Sequence, residues 1–505
     1  MIKDRKLYLN TITPIILEVV TIISGFIVPR MILSHFGSTV NGLVQSITQF
    51  LSIISFLELG IGSVVRFNLY KPLADHDNDG ISKIVVAANK FFRTLAIILL
   101  IYTVILIIIF PYLGHHDFSW TYTALLILAM VISSFSQYFF GQVNQLLLTA
   151  DQKGYIQYTA QILTIILNTI ACVILINRGA EIHFVKLSTS LIFLMRPLFL
   201  QWYVRRHYEI DYNIKYEGEP IKQKWNGIAQ HISSVVLDNT DVIVLTTFST
   251  LANVSIYSIY HMIVNGLKKL MTTSTSGIQA KLGNIIARGD KKELDFVFFK
   301  TEWIIHTVGT LLFGITGVLI VSFVMVYTKG ITDASYNNQA FALLMTLAYA
   351  GHSYRLPYSI MILAAGHYKQ TQGIYIAAAL INIITSIILV YFYGLIGVAV
   401  GTLAAMTFQT VWMAMYVSKN ILFRSIWFFI KQVLVDFTGM LVAGLVFLTV
   451  NIKADSYITW LLLAVIRSIP IVLFVMLINY FVYKENVLWI LGRFKKSNGN
   501  NGKSE

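Results

Sequence analysis

The stretch Asp75–Gly80 reads DHDNDG, with aspartates at its first, third and fifth positions and glycine at the sixth. A calcium loop of the EF-hand type opens this way, but it needs a bidentate glutamate at its twelfth position, and Val86 stands there. The pattern lacks its most demanding ligand, and a solvated turn in which Asp77 carries neither metal nor stability is the expectation. His115–Asp117 offers HHD with no fourth ligand in view and reads as an exposed turn. No GxxxxGK[ST] occurs, so no ATPase motor is indicated. Neither a nucleophile–base motif nor a Cys/His cluster is present, which leaves no positive sign of an enzyme, a metal or a cofactor. The single cysteine, Cys172, cannot form an intrachain disulfide. The chemistry that does stand out is charge placed inside apolar runs: Glu18, Arg30, Glu58, Arg66, Arg196, Asp238, Asp241, Lys268, Arg355 and Arg467.

Those runs dominate the chain. Of 505 residues, 56% are hydrophobic and 12% charged, about half the charged share of a soluble domain. Segments of about 20 apolar residues can span a bilayer. Fourteen are expected, at 11–33, 41–64, 91–113, 119–148, 155–177, 182–203, 227–249, 253–278, 300–327, 339–365, 371–393, 395–418, 430–450 and 457–482. MIKDRK before the first run resembles a signal peptide only superficially, because Pro14 and Glu18 interrupt the run and no small-residue cleavage site follows, and an uncleaved first span is expected. With the N-terminus inside, Lys plus Arg number 28 in inner loops and flanks against four outside, Arg178, Lys186, Lys329 and Lys453. That asymmetry explains the net charge of +14 without nucleic acid and places both termini in the cytoplasm.

An internal repeat organises the spans. LSHFGSTVNGLVQSI from Leu33 matches LTTFSTLANVSIYSI from Leu245 at an offset of 212, and LYKPLADHD from Leu69 aligns with LGNIIARGD at 213, pairing Asp77 with Asp290. Six spans separate the copies, so the halves keep one orientation, as parallel repeats do. The expected organisation is an all-α polytopic membrane protein. It has an N-terminal six-helix bundle (1–204), a cytoplasmic linker (205–226), a C-terminal six-helix bundle (227–418), and two further spans with a basic tail (419–505) in which ENVLWILGRFKK can lie as an interfacial helix.

Polar stripes run along the spans that repeat. In the second, Asn41, Gln45, Thr48, Ser52, Ser55, Gly62 and Arg66 fall within about 100° of one another at 100° per residue. In the eighth, Tyr257, His261, Asn265, Lys268, Thr272, Thr275 and Gln279 fall within about 80°. The seventh adds Gln230, Ser234, Asp238 and Asp241, and the first adds Thr11, Pro14, Glu18, Thr21 and Gly25. Single Ser, Thr and Asn residues serve equally as interhelical glue. Charges fit that use less well, since Lys268 and Asp238 together cost about 5–7 kcal/mol in hydrocarbon unless paired or hydrated. A water-filled cavity between the bundles is therefore expected. Arg30, Arg66 and Lys269 lie near span ends, where snorkelling is an alternative. Arg196 beside Pro197, and Arg355 in GHSYRLP, suit gating or packing.

The run FGSTVNGLVQSITQFLSIISFLELGIGSVVRFNLYKPLADHD and its echo VLTTFSTLANVSIYSIY resemble Wzx-type oligosaccharide-lipid flippases of the multidrug/oligosaccharidyl-lipid/polysaccharide exporter superfamily. The resemblance covers spans one, two, seven and eight, the loop after the second, and the fourteen-span layout. It implies two six-helix bundles with a V-shaped opening and a cavity lined by those four spans. It also implies export of an undecaprenyl-pyrophosphate-linked oligosaccharide across the bacterial cytoplasmic membrane for cell-surface polysaccharide, with polysaccharide polymerase and glycosyltransferases as partners. Arg66, Lys268, His261 and Arg30 would then hold the head group, with Gln45, Ser52 and Asn265 beside them. Glu18, Asp238, Asp241, Arg196 and Arg355 would couple or gate. A multidrug or ion-coupled antiporter of the same superfamily is the first alternative, which Asp238 and Asp241 could serve. A non-transporting scaffold of a glycan-synthesis complex is the second.

Overall fold

Apolar runs long enough to span a bilayer must close all their backbone hydrogen bonds internally, and among the described residues they do so as helices alone, without a strand. The computed structural model describes residues 2–57, 61–114, 118–215, 218, 228–450 and 453–489. Glu58, His115–Asp117, most of 216–227 and the tail beyond residue 489 lie outside them.

The N-terminal half comprises α1 (Ile2–Ser52), α2 (Ile61–Ala74), α3 (Asn78–Ile109), α4 (Trp120–Ser136), α5 (Gln142–Ala150), α6 (Gly154–Asn177) and α7 (Ile182–His207). The rest comprises α8 (Ile228–Phe248), α9 (Leu251–Ser274), α10 (Ser276–Arg288), α11 (Lys291–Tyr327), α12 (Gln339–Ala364), α13 (Tyr368–Tyr393), α14 (Leu395–Asn420), α15 (Trp427–Thr449) and α16 (Tyr457–Val482). Counting α1 together with α2 as two spans, and each of α4–α5 and α9–α10 as one, recovers the expected fourteen-span layout. The protein is an all-α, multi-pass membrane protein. Among the described residues, ten helices are long and apolar enough to cross a membrane; α8, α9 and α12 are long enough but more polar.

The first two spans are not separated by a loop. α1 runs through both, and one residue, Gly37, breaks it at φ 81° and ψ 176°. Only glycine adopts such a conformation cheaply, so a single residue turns the chain where the sequence suggested several. The helical stretch that restarts at Ser38 needs its first donors satisfied. The carboxylate of Asp333, 295 residues away, does so, accepting from the Ser38 N–H at 2.6 Å and the Ser38 hydroxyl at 2.7 Å. The repeat-equivalent turn is self-capped: Thr250 Oγ1 accepts from the Asn253 N–H at 3.2 Å.

The repeat is also visible where each second span ends. A 3-10 turn (Ile53–Leu57) and the short α2 follow the first copy, and a break at Thr275 and the short α10 follow the second. A stripe drawn at 100° per residue therefore does not extend from Asn41 to Arg66, because the helix is interrupted between them. The DHDNDG turn has a definite job. Asp77 Oδ1 caps α3 by accepting from Gly80 N at 2.9 Å, and Asp290 caps α11 from Glu293 N at 2.9 Å. Both aspartates have nearly the same backbone angles. The expectation that Asp77 carries no stability is thus replaced: it is an N-cap.

The chain falls into two compact units, Met1–Ser258 with Gly330–Ala334, and Ile259–Lys329 with Ser335–Glu505. In the first, the core runs from Leu43 and Ile47 through Phe92 and Phe110 to Leu147 and Val204. In the second, α12 and α14 pack through Tyr358, Met361, Met413 and Val417. The two appended helices are held to α11 by buried polar contacts. Trp303 and Thr307 both donate to Asn479 Oδ1, at 2.7 and 3.2 Å, and Arg467 donates to the carbonyls of Val318 and Val450.

Candidate functional site

The second unit contains a cationic cluster built from α9, α12 and α14. His261 and Lys268 lie two turns apart on α9, and both approach Tyr349 of α12. The His261 ring meets the tyrosine edge-on at 5.7 Å, and Lys268 Nζ lies 5.9 Å from the same ring centre. One turn further along α12 come His352 and Arg355, spaced i, i+3 and therefore on one face. Arg355 Nη2 donates to His352 Nδ1 at 2.6 Å, and Nη1 donates to Gln409 Oε1 of α14. Because Nδ1 accepts, the ring proton of a neutral His352 sits on Nε2. That atom is buried and meets no hydrogen-bond partner among the described residues. The charges of both Arg355 and Lys268 act on the His352 ring. A lysine, an arginine and an N–H donor thus converge on the more polar helices α9 and α12. Such a set suits an anion with several oxygens.

The first unit has a polar cluster of its own. A single π-turn, Gln137–Gly141, separates α4 from α5, the kind of insertion that re-aims side chains within a helix. Gln137 donates to Gln142 and Gln145 at 2.9 and 3.1 Å, and Arg196 of α7 donates to Gln145 Oε1 at 2.6 Å. An arginine on one helix thus meets a glutamine on a neighbouring one in each unit. The offset of 213 that relates Asp77 to Asp290 carries Arg196 onto Gln409, whereas its partner Gln145 falls on Tyr358, so the two Arg–Gln contacts are not repeat copies of each other.

Other stripe residues face partners within the first unit. Asn41, fully buried, donates to Ser255 Oγ at 2.7 Å, and Ser52 donates to Asn239 Oδ1 at 2.9 Å. Ser46 and Thr246 share a 2.7 Å hydrogen bond, and Gln49 donates to Asn239. Backbone approaches closely here: a Cβ on Gly42 would lie 1.8 Å from the Leu251 carbonyl oxygen. Asp241 is 2% exposed and accepts from the Tyr257 hydroxyl at 2.9 Å. Gln45 and Glu18 are half-buried, as is Arg30, which follows the in-helix Pro29. Asn265 is half-buried on α9, one turn before Lys268. Arg66 is half-buried on α2. Asp238 belongs to α8, but its side chain lies outside the described residues. The structure therefore brings His261, Lys268 and Arg355 together, and Arg196 with its glutamines. It keeps Arg66 on a separate helix from the Asn41–Ser52 stretch. His352 and Gln409 escaped the sequence reading; the i, i+3 spacing of His352 and Arg355 inside a span was the available signal.

No family model matches the chain, and no curated protein matches it. Several solved structures do match in fold. A lipid II flippase MurJ in an inward closed conformation superposes with a TM-score of 0.68 at 14% identity, over 95% of this chain and 99% of that one. An inward-facing multidrug resistance MATE transporter of the MOP superfamily gives 0.60 at 14% identity, over 80% and 94%. A MOP superfamily transporter from Pyrococcus furiosus, described as having a binding pocket of reversed polarity, gives 0.53 at 14% identity, over 80% and 95%. The chain has the fold of the MOP-superfamily transporters.

Proposed function

We propose that the protein is a flippase that carries an undecaprenyl-pyrophosphate-linked oligosaccharide from the inner to the outer leaflet of a bacterial cytoplasmic membrane. The observation that carries this reading is the cationic cluster of Lys268, His352 and Arg355 inside membrane-spanning helices. A pyrophosphate diester brings about two negative charges, which suit the basic side chains of Lys268 and Arg355, while the polyprenyl tail stays in lipid. The likeness in fold to a lipid II flippase supports the same substrate class. Residues 1–204 and 227–418 act as the two moving bundles, with both termini cytoplasmic, and Arg66 and Arg30 add cations within the first unit. At a potential of ~100 mV, negative inside, moving two negative charges outward is favourable by about 4.6 kcal/mol, so no ATP is required.

The test is lipid-linked oligosaccharide accumulating in the inner leaflet of cells that carry each variant as their sole copy. Lys268→Ala and Arg355→Ala should block export while the protein still inserts, and each should lose about 1.5–3 kcal/mol of head-group interaction, the scale of a charged hydrogen bond. Leu270→Ala, exposed two residues further along α9 and on its far side, should export normally. Full export by a well-inserted Lys268→Ala, Arg355→Ala double variant refutes the cationic-cluster mechanism. The likeness to multidrug transporters favours one second reading, antiport of an organic solute, for which these variants would alter drug resistance and leave surface polysaccharide intact.

A further inference from the structure

The second unit buries a second ionisable cluster, built from α11, α12 and the appended α15 and separate from the head-group site. His306 of α11 is 0% exposed and Asp436 of α15 is 3% exposed, and His306 Nδ1 lies 2.6 Å from Asp436 Oδ2. The other carboxylate oxygen accepts from the Thr310 hydroxyl at 2.9 Å and from Gln432 Nε2 at 3.3 Å. Tyr354 of α12 stacks on the imidazole at 4.9 Å, and its hydroxyl pairs with Thr310 at 2.9 Å. Both helices that carry the pair are long and apolar enough to cross a membrane.

Proton counting defines what the pair can do. The short Nδ1–Oδ2 contact holds one proton, and Oδ1 is already occupied by two donors. The one remaining position for a further proton is His306 Nε2, which is buried and meets no hydrogen-bond partner among the described residues. With that proton bound the pair is an imidazolium and a carboxylate, of zero net charge. Without it the pair carries one negative charge in a dry interior. The other charged and titratable groups facing the pair do not supply a balance. Glu302 of α11 is already matched by a bidentate Arg424, and the Tyr358 hydroxyl donates to Glu302 at 2.6 Å. Tyr354, Tyr358 and Tyr483 are neutral as phenols. A purely structural tie between α11 and α15 would need neither a titratable ring nor an empty ring nitrogen; the Trp303–Asn479 contact beside it achieves the same with neutral groups.

We propose that His306 and Asp436 form a proton-carrying site that couples proton movement to translocation. Nε2 takes a proton from water on the side then open and returns it to water on the other. α12 connects this site to the head-group cluster. Tyr354 and Tyr358 point to the pair, while His352 and Arg355 sit on a face roughly 110° away on the same helix. Pro357 lies within that stretch and removes one backbone hydrogen bond, which leaves the helix locally easier to bend. Helix movement that meets the change in pair charge therefore reaches the anion site. The coupling half of this inference rests on the translocation reading above.

The experiment uses the full chain in liposomes, a fluorescent polyprenyl pyrophosphate as probe and a trapped pH dye. Wild type should translocate the probe faster under an imposed pH gradient at zero membrane potential, with dye-reported proton flow. His306→Gln and Asp436→Asn should keep potential-driven translocation and lose both the gradient response and the proton flow. Thr310→Val, which removes one donor to Asp436, should keep the response with a displaced pH midpoint. A full gradient response in His306→Gln overturns the proposal. So does loss of folding and of both modes of transport in all three variants, which marks the pair as a structural tie. If wild type moves no probe under any gradient, the translocation reading fails. The site is then judged by nitrogen NMR of histidine-labelled full chain in detergent, where one ring resonance, absent in His306→Gln, should change with pH. A His306 ring that does not titrate overturns the proton site.

Discussion

Removing the Asp333 carboxylate tests the most unusual contact in the first unit. Asp333→Ala takes away the acceptor of two charge-assisted hydrogen bonds, to the Ser38 N–H and hydroxyl. Such bonds are worth about 1.5–3 kcal/mol each when fully buried. Asp333 is exposed, however, so water replaces part of the loss, and about 2 kcal/mol for the two together is the appropriate scale. That corresponds to roughly a thirty-fold rise in the population in which the stretch after Gly37 separates from its neighbours. Ser46, 0% exposed on that stretch and bonded to Thr246, is the reporter position. In a Cys172→Ser background, the rate at which Ser46→Cys reacts with maleimide in purified protein should rise by about the same factor when Asp333→Ala is added. Asp333→Asn, which keeps one acceptor oxygen, should fall between. An unchanged labelling rate would refute the reasoning, because it would mean the carboxylate does not hold this region closed.

Gly42→Ala should lower the melting temperature strongly. Its Cβ would meet backbone rather than a movable side chain, at the upper end of the overpacking range of about 1–3 kcal/mol, and wild-type stability would show that the helices are not in that contact. Asp77→Ala and Asp290→Ala should each cost about 1 kcal/mol of stability as lost N-caps, equally with calcium or a chelator; a calcium-dependent melting temperature in wild type would contradict the cap reading. Tyr208, just past α7, donates its hydroxyl to Asp151, and burial together with that bond pushes its pKa above the usual tyrosine value. The folded state then keeps this proton where the unfolded state has released it, so the contribution is complete below about pH 10 and lost as pH climbs above that. Tyr208→Phe should flatten the alkaline fall in stability measured by denaturant titration, and an unchanged slope would count against the buried contact.

Most spans were legible because hydropathy fixes them, and the more polar α8, α9 and α12 because their runs still have spanning length. The segment 457–482 coincides with Tyr457–Val482, and 339–365 ends one residue beyond Gln339–Ala364. The repeat was legible too, down to the pairing of Asp77 with Asp290, because a turn that caps a helix keeps its aspartate. Phase within the second span was not. A 100° rule assumes an unbroken helix, and no residue between Ile53 and Leu57 announces the 3-10 turn. The cationic cluster was half legible. Lys268 and Arg355 are charged residues in apolar runs, whereas Gln409 becomes a partner only through a contact 54 residues distant. Asp436 was the plainest omission, a carboxylate inside an apolar span. Its partner lies 130 residues earlier, and no periodicity links two helices so far apart in sequence.

The two turns of the repeat also differ in when they can be completed. Thr250 caps its own helix with an atom three residues from the donor it serves, so that turn closes as soon as the segment emerges from the ribosome. Ser38 must wait for Asp333, 295 residues later. At translation rates of about 5–20 residues per second, that delay is roughly 15–60 s. Throughout it the amide and hydroxyl of Ser38 lack the Asp333 carboxylate. The early spans are thus inserted into the membrane with this turn uncapped, and the clamp closes over it late in synthesis. Any nascent chain that stalls before residue 333 stays in the uncapped state, recognisable to quality control by an unfinished helix start.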